Sequence, residues 1–122
     1  MESTKNLFEV GDEDFDAKVL TADRPVIVDF WGDWCPPCRA MAPLYARMSE
    51  EYAGKMGFAK LDIDQHPRTP SRFGVLGFPT FLVFHDGKVV ERVIGFNPAG
   101  LRRAIERVLA ESRVEHHSDK AV

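Results

Sequence analysis

Apolar residues along this chain fall into two rhythms. Val26-Ile27-Val28-Asp29-Phe30-Trp31 is almost wholly apolar without alternation, the pattern of a strand covered on both faces by helices, and it marks the central strand. Leu7-Phe8-Glu9-Val10, Phe58 to Ile63, Thr80 to Phe84 and Val89 to Ile94 read as further strands. Helical spacing appears in three places: Phe15, Val19 and Leu20 behind Asp12 as N-cap; Met41, Leu44, Tyr45 and Met48 behind Pro37 in a first helical turn; and Leu101, Ala104, Ile105, Val108 and Leu109 behind Asn97 as N-cap and Pro98. Asp64 to Pro70 is rich in turn formers and is expected to hold a loop or a single helical turn. The strand–helix–strand alternation implies parallel pairing, while Asp86-Gly87 is a tight hairpin signal that makes the last two strands antiparallel. The expected architecture is therefore α/β with a mixed sheet. Beyond Ser112 the apolar period ends, so residues 1–111 are read as one domain and 112–122 as a flexible C-terminal tail.

Composition narrows the function. The chain has 122 residues, 44% of them apolar and 29% charged, which suffices for one domain with its own core. A net charge of −3 without a basic run gives no footprint for nucleic acid or an anionic membrane surface. Met1 to Asn6 lacks a signal-peptide pattern and no apolar run approaches the ~20 residues of a membrane span, so a cytoplasmic protein is expected. In a reducing cytoplasm the sole cysteines, Cys35 and Cys38, are better read as catalytic or metal-binding than as a structural staple. Zinc needs four ligands. His66, His85, His116 and His117 are the only histidines and none stands at a finger spacing, so no metal is expected.

Redox chemistry fits better. A cysteine at a helix N-terminus gains thiolate character from unpaired N–H groups and the helix dipole. A Cys35 thiolate, at the exposed end of the loop, attacks a substrate disulfide, and Cys38, one turn into the helix, resolves the mixed disulfide. Asp29 interrupts the apolar central strand six residues before Cys35. A buried carboxyl tends to stay protonated near neutrality, which suits a general base that deprotonates Cys38. Asp33, Arg39, Asp62 and Asp64 are read as solvated charges around the site.

The run Val28 to Arg39 with Trp34-Cys35-Pro36-Pro37-Cys38, the later Gly77-Phe78-Pro79-Thr80, and the Asp86-Gly87 hairpin followed by Gly95 resemble the thioredoxin family, in order and at ungapped spacing from about Leu7 to Leu109. The resemblance implies the thioredoxin fold, a five-stranded mixed sheet with helices on both faces. It also implies a monomeric disulfide reductase without a bound cofactor: a redox-active Cys35–Cys38 disulfide that reduces protein disulfides and draws electrons from NADPH through thioredoxin reductase. Carried over by position, Asp29 takes the part of the proton-transferring aspartate, with Lys60 close to it. Pro79 is a cis proline against the disulfide, and Trp34, Phe78 and Gly95 line a substrate groove beside Pro36 and Pro37. Most members have C-G-P-C where this chain has C-P-P-C, and proline-first relatives include oxidants. A disulfide oxidase or isomerase of the same fold therefore stands as an alternative, as does a non-catalytic assembly subunit.

Overall fold

The computed structural model describes residues 6–121, with side chains described from 6 to 111. Its strands are β1 (Leu7–Glu9), β2 (Val26–Trp31), β3 (Gly57–Asp62), β4 (Thr80–His85) and β5 (Lys88–Ile94), in one sheet of order β1-β3-β2-β4-β5. β3 runs parallel to both β1 and β2, whereas β4 is antiparallel to β2 and β5 to β4. The mixed sheet follows from the β4–β5 turn. Asp86 (φ 55°) and Gly87 (φ 77°) both take left-handed backbone angles, the two-residue turn whose twist matches that of the strands it joins. Between Val83 and Phe84 the register against β5 shifts, leaving Val90 as an extra residue in the edge strand.

The central strand is covered as its pattern requires. Ile27 faces one core with Met41, Tyr45 and Met48 of α1 (Pro36–Glu51) and Leu101 and Ile105 of α3 (Pro98–Ala121). Val28 and Phe30 face the other, with Phe15, Leu61 and Phe84. Burying each such side chain stabilises the fold by roughly 1.5–3 kcal/mol. Asn97 caps α3, its Oδ1 accepting the N–H of Gly100 at 3.0 Å.

Local structure departs from expectation around Asp12. No helix begins there; a single wide π-helical turn spans Asp16–Leu20, and it is Asp14 that accepts the N–H of Gly11 (2.7 Å). The Asp12 carboxylate instead reaches across the chain to cap α2 (Arg68–Arg72), accepting the N–H groups of Arg68 (3.1 Å) and Thr69 (2.8 Å) and the Thr69 hydroxyl (2.6 Å). An Asx residue satisfies any nearby helix start, and the nearest in space is 56 residues away in sequence. Asp12→Ala is expected to cost about 1–2 kcal/mol and lower the melting temperature by about 4–8 °C, read by calorimetry.

At the other end, α3 continues to Ala121, so the backbone stays helical beyond the last residue of its apolar stripe. No Gly or Pro interrupts the chain from Leu101 to Ala121, and helix propensity suffices to carry the backbone on. The side chains beyond 111 lie outside the described residues. Among the described residues no helix is long and apolar enough to cross a membrane.

Candidate active site

β2 ends at Trp31, the chain turns through Gly32 to Trp34, and α1 begins with two prolines. Proline has no N–H, which costs nothing in a first helical turn. Cys35 is the N-cap, in the extended conformation (φ −101°, ψ 108°) that a residue before proline prefers. With Pro36 and Pro37 unable to donate, the first N–H available at this helix end is that of Cys38, and it points at Cys35 Sγ from 3.3 Å. The two sulfurs form a disulfide, with Cα atoms 5.2 Å apart.

Exposure does not distinguish the cysteines as the sequence reading expected, for each is 3% exposed. The Phe78–Pro79 segment, joined by a cis peptide bond, lies against Cys35, with the Phe78 carbonyl oxygen 3.6 Å from Cys35 Sγ. What separates the two is electrostatic. Only the Cys35 sulfur occupies the capping position, where a thiolate meets the positive end of α1.

Asp29 lies on the α1 face of β2, 2% exposed. Its Oδ1 is buried and has no hydrogen-bond partner among the described residues. Burial pushes its pKa up to about 7, against a smaller downward pull from the Lys60 ammonium. Lys60 is its register neighbour on β3, yet the ammonium sits 4.6 Å over the Trp31 ring rather than on the carboxylate. Tyr45, fully buried, closes the floor of this region, with its hydroxyl 2.7 Å from the Ala59 carbonyl and 3.1 Å from that of Ile27. Desolvation, and after it the Asp29 charge, hold the Tyr45 hydroxyl firmly protonated.

Around the disulfide, the Trp34 indole stands edge-on to Phe78 with ring centroids 6.0 Å apart, and its N–H donates to Asp64 Oδ2 at 2.9 Å. Gly32 leaves room for that ring, since a Cβ there would come within 2.7 Å of it. Gly95 takes φ +87° and donates its N–H to the Pro79 carbonyl at 2.7 Å, tying the end of β5 to the start of β4. Pro36 is exposed and Pro37 half-buried on the rim. Asp64, expected as a solvated charge, orients Trp34. Leu76, Ile94 and Phe96, which the sequence reading passed over as site residues, are 90%, 57% and 53% exposed beside this rim. Their signal is faint: each neighbours a turn glycine, Gly77 or Gly95, where a regular element starts or stops.

A disulfide closed across a helix N-terminus exchanges with other disulfides when reduced, taking up their oxidising equivalents without any added group. That places the protein among the thiol–disulfide oxidoreductases. Known proteins agree. Residues 6–107 match the thioredoxin family profile. A thioredoxin of Alicyclobacillus acidocaldarius is 40% identical over 94 residues, 77% of this chain and 87% of that protein. A Staphylococcus aureus thioredoxin is 41% identical over 92 residues, 75% of this chain and 86% of its own. In three dimensions the crystal structure of Malassezia sympodialis thioredoxin superposes with a TM-score of 0.78 at 32% identity, covering 84% of this chain and 90% of that one. The chain belongs to the thioredoxin family, and it is a dithiol–disulfide oxidoreductase acting on protein disulfides.

Proposed function

We propose that the protein works as a reductase in which Cys35 attacks and Cys38 resolves. The observation that carries this order is the capping position of Cys35 Sγ, which accepts the Cys38 N–H at the α1 N-terminus. The Cys35 thiolate forms a bond to one substrate sulfur and expels the other as a thiolate. Cys38, deprotonated by Asp29, then attacks Cys35 Sγ, releasing the second substrate thiolate and closing Cys35–Cys38. Two electrons pass to the substrate. They are restored from NADPH by a flavoenzyme of the thioredoxin reductase class, in the cytoplasm.

The two prolines favour reductant over oxidant. A strong oxidant of this kind has its reduced form stabilised, and among the described residues only one backbone N–H is directed at the Cys35 sulfur. Equilibration with glutathione is expected to leave the protein largely oxidised where reduced and oxidised glutathione are balanced. A protein that stays reduced there would be an oxidase or isomerase.

The redox domain is assigned to residues 1–111, with Trp34, Phe78, Pro79 and Gly95 in the substrate groove beside Pro36 and Pro37. Removal of 112–122, whose aliphatic residues are Val114, Ala121 and Val122, is expected to leave turnover unchanged. The melting temperature should fall by less than about 4 °C; a larger drop, equivalent to about 1 kcal/mol, would mean the segment docks.

A further inference from the structure

The end of the sheet that carries the disulfide is divided by charge. β2 and β3 finish there, at Trp31 and Asp62, while antiparallel β4 starts there after Pro79 and β5 finishes at Ile94. Because the sheet order is β1-β3-β2-β4-β5, the disulfide that follows β2 stands between two unlike flanks. On the β4–β5 side lie Leu76, Phe78, Ile94 and Phe96, three of them more than half exposed. Gly77, between Leu76 and Phe78, lies against Ile94, for a Cβ there would sit 3.5 Å from Ile94 Cγ2. On the β3 side lie Asp62 and the exposed Asp64, joined by the Asp64 N–H to Asp62 Oδ1 at 3.0 Å. Neither is in an ion pair among the described residues. The nearby cations are engaged elsewhere: Lys60 over the Trp31 ring, and Arg39 at 2.7 Å from the Asp33 carbonyl. Trp34 bridges the two flanks, with its ring on Phe78 and its N–H on Asp64.

We propose that this surface selects extended substrate segments in which the attacked cysteine has an apolar side chain on one flank and a lysine or arginine on the other. The apolar residue lies against Leu76 and Ile94 and the cation against Asp62 and Asp64. An extended chain advances about 6.6 Å over two residues, so the side chains two positions before and two positions after the attacked cysteine lie on opposite sides of it. This rests on the reductase reading and adds a substrate class to it. The two-sided arrangement makes the charged contact a matter of selection and encounter rate more than of tight binding, since it lies at an open rim.

The test uses the full-length reduced protein and short disulfide-linked peptides of the patterns Leu-x-Cys-x-Lys and Lys-x-Cys-x-Leu, with Glu or Gln replacing Lys in matched controls. In the better of the two orders, the Lys peptide is expected to be reduced about three- to fivefold faster than its Glu counterpart at low ionic strength. Raising the salt to about 0.5 M should erase most of that difference. So should the double substitution Asp62→Asn with Asp64→Asn, which keeps an amide oxygen as acceptor for the Trp34 N–H and whose fold is checked by its melting curve. Equal rates, a preference for Glu, or a Lys preference that survives both salt and the double substitution each overturn the proposal. If even the Gln peptides are not reduced, the reductase reading itself fails, and the proposal with it.

Discussion

Cys38→Ala protein is expected to accumulate a covalent complex with a disulfide substrate, whereas Cys35→Ala protein forms none. The first attack needs a thiolate, and the proposed order puts it at Cys35, whose sulfur holds the capping position at the helix N-terminus. Once Cys35 is bonded to substrate, release depends on a second thiol within reach, and Cys38, 5.2 Å away between Cα atoms, is that thiol. Removing it stops the reaction at the mixed disulfide; removing Cys35 stops it before any bond forms. Non-reducing electrophoresis and intact mass read the outcome directly. A complex that forms through Cys38 in the Cys35→Ala protein would reverse the assignment. Both cysteines are equally shielded in the disulfide state, so solvent access cannot supply the distinction that position at the helix end does.

Asp29→Asn should slow resolution and stabilise the fold, and pH separates the two effects. With a pKa of about 7, Asp29 is half ionised near neutrality, as the proposed general-base role requires. Resolution in the native protein should therefore rise with pH through about 7. In Asp29→Asn it should be about tenfold or more slower at pH 7 and recover only toward the free-thiol pKa of about 8.5. Stability moves the other way. Unfolding returns Asp29 to an ordinary carboxylate, so between about pH 4 and 7 the folded state holds a proton that the unfolded state has lost, and native stability falls as pH rises across that window. Below it the ionisation of Asp29 costs nothing. Above pH 7 the full cost is present, on the order of 2–4 kcal/mol, and Asn removes it. Stopped-flow tryptophan fluorescence and urea unfolding at pH 5 and pH 8 measure the pair. Unchanged resolution across pH 6–8 would leave Asp29 a structural residue only.

The parts of this molecule that were legible in its sequence are those where local and global demands coincide. The unalternating run Val26–Trp31 could only be a doubly covered strand, and Asp86-Gly87 could only turn tightly, so the mixed sheet followed. Asn97-Pro98 opened α3 as its residue types require. The misses came from contacts made across the chain. Asp12 looks like the cap of whatever follows it, and its true partners, Arg68 and Thr69, are set by how β1 and β3 pair. The Phe78–Pro79 segment that lies against Cys35 is brought in from 43 residues away. Lys60 stands in register beside Asp29, but Trp31 competes for its ammonium. Asp64 gives no sign in sequence that an indole N–H will reach it. Where α3 ends was obscured by composition: loss of an apolar stripe removes the signal for packing, not the propensity for helix.

The most direct measurement is insulin reduction by the intact protein with NADPH and a thioredoxin reductase, following NADPH oxidation and precipitation of the freed B chain together. Catalytic NADPH consumption coupled to precipitation is expected, abolished by Cys35→Ser and stalled after one mixed disulfide by Cys38→Ser. Precipitation that continues undiminished in Cys35→Ser, or reduced protein that leaves insulin intact, would contradict a reductase built on the Cys35–Cys38 pair.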